Sequence, residues 1–135
     1  MTKARAMLDT YPHPRDGFDA DLLAACLEAC FDCEQTCTAC ADACLAEDMV
    51  ADLRTCITTN LDCADVCGTT GRVLSRHTGY DTTLSRTVLE ACRAACKACA
   101  DECEQHAGMH DHCRICAEVC RRCEQACAAL LASMS

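Results

Sequence analysis

This sequence has very little with which to fill a core in the ordinary way. Aromatic residues make up 3% of its 135 positions, two Phe and two Tyr with no Trp, so the large rings that dominate most interiors are missing. Its two prolines, Pro12 and Pro14, both fall before residue 18, and its glycines number five. Nowhere does the chain hold an apolar run of about 18 residues, which excludes a membrane-spanning helix. The N-terminus, MTKARAMLDTYPHPRDG, carries Lys3 and Arg5 but no apolar h-region, twin arginine or A-x-A-like cleavage site. The expected location is therefore cytoplasmic. Positive charge is scarce too: 12 basic residues face 21 acidic ones, a net charge of −9, and such a surface disfavours nucleic acid and anionic membrane as partners.

What the chain has instead is sulfur. Eighteen residues are Cys, and with many Ala they supply much of the 51% hydrophobic fraction. In a short secreted chain this content would indicate a disulfide framework, whereas in a reducing cytosol it points to metal. Geometry agrees. Helix neighbours at i and i+4 hold their Cβ atoms about 5–6 Å apart, and a disulfide needs about 3.5–4.5 Å. Bridges within one helix are disfavoured, while bridges between helices remain open.

The densest stretch is CLEACFDCEQTCTACADAC. At about 100° per residue, Cys26, Cys30, Cys33, Cys37, Cys40 and Cys44 share one narrow helical stripe. Cys56, Cys63 and Cys67 form a second stripe, and Cys92, Cys96, Cys99 and Cys103 a third. Cys113, Cys116, Cys120, Cys123 and Cys127 form a fourth. A bundle ordinarily places Leu and Ile at such positions. Cysteine used simply as a small hydrophobe would account for two or three of these residues, not for all of them.

Length and pattern predict one all-α domain: an antiparallel four-helix bundle over residues 19–135 with a cysteine-lined core, behind an N-terminal tail over residues 1–18. A short helix over 2–8 in the tail is ended by Pro12, Pro14 and Gly17. The long helices run from Asp19 or Asp21 to about Glu47; from a cap at Asp48 to about His77, with Gly79 as its stop; from Asp81 to near His106 and Gly108; and from Asp111 to about Ala132. Gly68 and Gly71 weaken the second of these. Short connections favour antiparallel neighbours.

Aligned up-down-up-down, one end of the bundle gathers Leu22, Leu74, Val88 and Leu131, with Leu84, Leu89 and Met134 nearby, as an aliphatic plug. The other end gathers Cys44, Cys56, Cys103 and Cys113, where the third stripe continues into His106 and His110. These two histidines are ligand candidates at a mouth. Met109 and His112, in the same turn, are either further ligands or ordinary turn residues. Asn60 takes the stripe position between Cys56 and Cys63, as a weak oxygen ligand, a hydrogen-bond donor to a thiolate, or a polar residue steadying the site. His13 and His77 lie off the stripes or beyond the sulfur. Leu27, Phe31, Ile57 and Leu61 point away from the sulfur, toward side packing or an oligomer contact.

Thiolates select Cu(I), Zn(II) or iron–sulfur clusters. Zinc wants closed tetrahedral sites and clusters want compact loop motifs; neither needs a straight ladder about 27 Å long at about 1.5 Å per residue. Cu(I) accepts two or three thiolates and shares them between neighbouring ions. One monovalent ion per displaced thiol proton also keeps the core near neutral, whereas stacked four-thiolate zinc sites would bury about two negative charges each. Capacity is expected on the order of one copper per cysteine. The CxxxC and CxxC ladders at Cys26–Cys44, Cys92–Cys103 and Cys113–Cys127, with His106 and His110 at the turn, resemble the cytosolic bacterial copper storage proteins. That resemblance implies a non-catalytic bundle filled with multiple Cu(I) ions held by the 18 cysteines, with His106, Met109 and His110 at matching positions, assembled as a homotetramer for storage or sequestration. The alternative is an iron–sulfur or thiol redox protein built on CxxC pairs such as Cys30–Cys33 or Cys120–Cys123, although no βαβ pattern surrounds any of them. The metal-free bundle is expected to fold by itself.

Overall fold

The computed structural model describes residues 2–13 and 17–134; Pro14, expected to help end the first short helix, lies outside the described residues. The elements are α1 (Ala4–Asp9), α2 (Ala20–Ala46), a 3-10 turn (Val50–Leu53), α3 (Arg54–Leu74), α4 (Thr82–Glu104) and α5 (Asp111–Ser133). Helix α2 packs on α3 and α5, and α4 packs on the same two, so the four long helices form a square whose diagonal pairs are bridged by core side chains and not by close backbone approach. Neighbours are antiparallel: Cys26, near the start of α2, meets Cys127, near the end of α5.

Two of the expected caps are in place. The Asp19 carboxylate accepts from the Leu22 N–H, and that of Asp81 from the N–H groups of Thr83 and Leu84, satisfying donors the first helical turn leaves open. Asp48 caps nothing. Helix α2 stops at Ala46, the 3-10 turn intervenes, and α3 opens at Arg54, because the chain must cross the mouth and drop Leu53 into the core at 0% exposure. Helix α3 ends at Leu74 rather than near His77, and the chain then reverses through Gly79 at φ 63°, a left-handed conformation suited to glycine. Helix α4 ends at Glu104, and turn bonds such as His110 N–H to His106 C=O carry the chain to α5.

The plug differs from expectation by one residue on α2 and α5, and on α4 the anticipated Leu89 fills it without Val88. Leu23, Leu89 and Leu130 are completely buried, whereas Leu22, Val88 and Leu131 are only half-buried and Leu84 is 50% exposed. Leu74 and Met134 close the end as anticipated. The cause is the period. The alternating four-three spacing of the cysteines is a strict heptad, about 3.5 residues per turn rather than 3.6. Continued at that period, the stripes pass through Leu23, through Leu89 and Ser85, and through Leu130 and Met134, all of them buried. On α3 the same rule gives Cys56, Asn60, Cys63, Cys67, Thr70 and Leu74, again all buried.

The two glycines inside α3 serve close packing against α2. A Cβ on Gly71 would lie 2.7 Å from the Phe31 ring, and one on Gly68 would strike the Glu34 carboxylate. Their absence of a side chain lets α3 approach, at a propensity cost of about 1 kcal/mol each. The tail is docked on the bundle. Leu8 is buried, Thr2 bonds Glu28 at 3.3 Å, and the Tyr11 hydroxyl meets that of Thr78 at 2.9 Å.

Candidate metal centre

The four stripes meet face to face and build a continuous column of thiols. All 18 cysteines are free and buried. Beside the plug, Cys26 faces Cys127 at 3.9 Å and Cys30 faces Cys92 and Cys123 at 3.9 Å each. In the next levels Cys67 lies 3.6 Å from Cys92 and 3.5 Å from Cys96, and Cys33 lies 3.8 Å from Cys63 and 3.7 Å from Cys120. Cys37 continues the column, 3.5 Å from Cys120, 3.7 Å from Cys116 and 3.9 Å from Cys99. Beyond it Cys56 and Cys103 approach to 3.8 Å. These separations are too long for disulfide bonds and short enough for two thiols to share one small ion.

Asn60 interrupts the column with a polar hub. Its Oδ1 accepts from the thiols of Cys99 and Cys116 at 3.0 Å each and of Cys103 at 3.6 Å, while its Nδ2 donates to Cys56 Sγ at 3.4 Å. Four cysteines from three helices thus converge on one amide, which is completely buried.

At the mouth the structure departs from the expected ligand order. His112 comes nearest to sulfur: its Nδ1 lies 3.4 Å from Cys40 Sγ and 3.6 Å from Cys113 Sγ. Its Nε2 donates to Glu47 at 2.8 Å. The same Glu47 oxygen pairs with His110 Nδ1 at 2.9 Å, and the two imidazoles stack with centroids 5.4 Å apart. His110 is buried, and among the described residues its Nε2 is the buried side-chain polar atom without a hydrogen-bond partner. Since a carboxylate only accepts, Nδ1 of His110 donates to Glu47, which in the neutral ring leaves the lone pair on the unpartnered Nε2. His106 is paired with Glu102 at 3.4 Å. Met109 is 67% exposed.

A family model described as copper storage protein matches residues 19–132. The chain belongs to the copper storage protein family. The copper storage protein Ccsp from Streptomyces lividans, in a structure loaded with 10 copper equivalents, matches with a TM-score of 0.95 at 59% identity, over 97% of this chain and 99% of that one. A structure of copper loading to a cytosolic copper storage protein from Streptomyces lividans, with five coppers, matches at a TM-score of 0.84 and 62% identity, over 85% and 96%. The uncharacterised cysteine-rich protein YhjQ of Bacillus subtilis (strain 168) is 34% identical over 108 residues, 80% of this chain and 94% of that one.

In this member of the copper storage family, proton affinity varies along the column. At the mouth, burial pushes the Cys44 thiol up to about 11 and raises that of Cys113 as well. Along the column neighbouring thiols share protons unequally: hydrogen bonding from Cys103 draws the Cys56 thiol down and bonding from Cys127 draws Cys26 down, while the thiols of Cys103 and Cys127 are themselves raised. The Glu47 carboxyl is held below its usual range by the hydrogen bond from His112. Glu47 was absent from the expected site, yet it sits three residues past Cys44, where the heptad continues. His112 obeys no such rule: it reaches sulfur from the first turn of α5, at a position set by the path of the preceding turn.

Proposed function

We propose that this chain is a non-catalytic store for multiple Cu(I) ions, held on the thiolates of the bundle core. One observation carries this reading: the possible ligand groups overlap. Cys33, Cys37, Cys63 and Cys120 each belong to two of the four-sulfur groups. A thiolate serving two groups filled at the same time must bridge their ions. Monovalent copper tolerates bridging in an apolar core, because each ion cancels the charge left by one displaced proton, whereas neighbouring four-thiolate divalent sites accumulate negative charge where it is most costly.

The 18 cysteines are the storage ligands. Copper enters at the mouth, where the bare His110 Nε2 and His112 Nδ1 offer nitrogen beside the first thiols, with Met109 and His106 on the outer approach, and passes inward by ligand exchange. Asn60 organises thiols at mid-column and is a weak oxygen ligand at most. The copper-loaded Streptomyces lividans relatives, one of them described as cytosolic, support both the cargo and a cytoplasmic location. The chain assembles as a homotetramer, which light scattering of the purified protein would show as a fourfold mass.

Protein isolated from cells grown with added copper is expected to be colourless and to carry copper as its dominant metal. Stoichiometric iron with visible charge-transfer bands would instead establish the iron–sulfur alternative.

A further inference from the structure

One group of ligand atoms at the mouth adds a nitrogen to the sulfurs of the column. The thiols of Cys40, Cys44 and Cys113 and an imidazole nitrogen of His112 all lie within 4.8 Å of one another. A tetrahedral ion with Zn–S of about 2.3 Å and Zn–N of about 2.0–2.1 Å sets sulfur and nitrogen about 3.5–3.6 Å apart. His112 Nδ1 already lies 3.4 Å from Cys40 Sγ and 3.6 Å from Cys113 Sγ.

The support around this group is also of the divalent type. Glu47 accepts the Nε2–H of His112 at 2.8 Å, which fixes the tautomer, leaves Nδ1 as the ligand lone pair and raises its basicity. His110 braces the ring by stacking and shares the same carboxylate oxygen. Three thiolates and one neutral imidazole leave a bound divalent ion with a net charge of about −1, half that of a four-thiolate site. The surroundings are wetter than the core, for the side chains of His112 and Glu47 are 26% and 32% exposed.

We infer that Cys40, Cys44, Cys113 and His112 form a separate site for one tetrahedral divalent ion of the zinc class, occupied while the column behind it is empty of copper. Binding displaces a proton from each thiol that holds one, and the ion keeps the mouth thiols metallated until softer Cu(I) exchanges into them. This goes beyond the copper store, with which it shares three thiols and the entry histidine, and it rests on the geometry of the mouth.

Cobalt(II) is the spectroscopic probe. Titration of the full-length metal-free protein under anaerobic conditions is expected to produce the intense ligand-field bands of tetrahedral thiolate-bound cobalt, saturating at one equivalent per chain, with zinc displacing the cobalt. His112→Ala is expected to remove that spectrum. Glu47→Gln is expected to preserve its shape while weakening affinity by about 10–100-fold, the usual cost of losing a carboxylate behind a histidine ligand. Weak octahedral-type absorption, several equivalents bound with equal affinity, or an unchanged spectrum in His112→Ala would overturn the assignment. A Cu(I) titration of the same preparation separates the two conclusions: copper filling without cobalt binding removes only the divalent site, and failure to take up copper removes the store itself.

Discussion

At the scale of single residues, Asn60 shows how a sulfur core is ordered without metal. Thiols are weak hydrogen-bonding groups, and a column of them alone would leave rotamers poorly specified. One amide at its middle gives Cys99, Cys103 and Cys116 a common acceptor and Cys56 a donor. Asn60→Ala is therefore expected to destabilise the metal-free protein by about 1–3 kcal/mol, the cost of stranding buried polar groups, measured as a lower urea midpoint. Copper capacity should barely change; loss of several equivalents would make Asn60 an essential ligand. The mouth thiols make a second prediction. Burial holds Cys44 up to about 11 and raises Cys113, above the value of about 8.5 for an exposed thiol. Such groups favour the folded state below the unfolded value and cease to do so as pH climbs through the folded one. The metal-free protein should lose stability between about pH 8.5 and 11. The copper-loaded protein, whose thiols have already given up their protons, should not follow it.

At the scale of helices, the same residues pack and line up ligands. The alternating four-three spacing that makes a bundle seam puts a sulfur at each level of the core. Helix α3 is the exception that exposes the design, because it carries only Cys56, Cys63 and Cys67 and fills its remaining levels with Asn60, Thr70 and Leu74. Its close approach to α2 depends on glycine. Gly71→Ala is expected to lower the thermal midpoint, because a Cβ 2.7 Å from the Phe31 ring brings an overpacking cost of about 1–3 kcal/mol, more than the propensity gain of about 1 kcal/mol. A raised midpoint would mean that Phe31 moves aside freely. The cysteine stripes and the four helices were legible in the sequence because a repeated residue type marks a period directly. The plug was misplaced by one residue because an angle of 100° per residue drifts from a true heptad by about 20° every seven residues, enough to exchange Leu22 for Leu23 and Leu131 for Leu130. The mouth was legible only in part. His110 and Glu47 fall on continued stripes, but the role of His112 depends on how the turn from Gln105 to His110 enters α5, which no periodicity encodes.

At the scale of the whole molecule, the column is polarised. Leu23, Leu74, Leu89, Leu130 and Met134 close one end, and Glu47, His110 and His112 border the other. The acidic surface, with a net charge of −9, surrounds a core whose charge stays near zero only if its cargo is monovalent. Copper number is thus the quantity on which everything else depends. The decisive measurement is an anaerobic titration of the metal-free protein with Cu(I) against a competing chelator, read as equivalents bound per chain. A bridged ladder predicts uptake well beyond one ion per four cysteines, on the order of one per cysteine from the displaced-proton balance. Saturation at four or five equivalents would contradict it, leaving a stack of isolated tetrahedral sites in place of a continuous store.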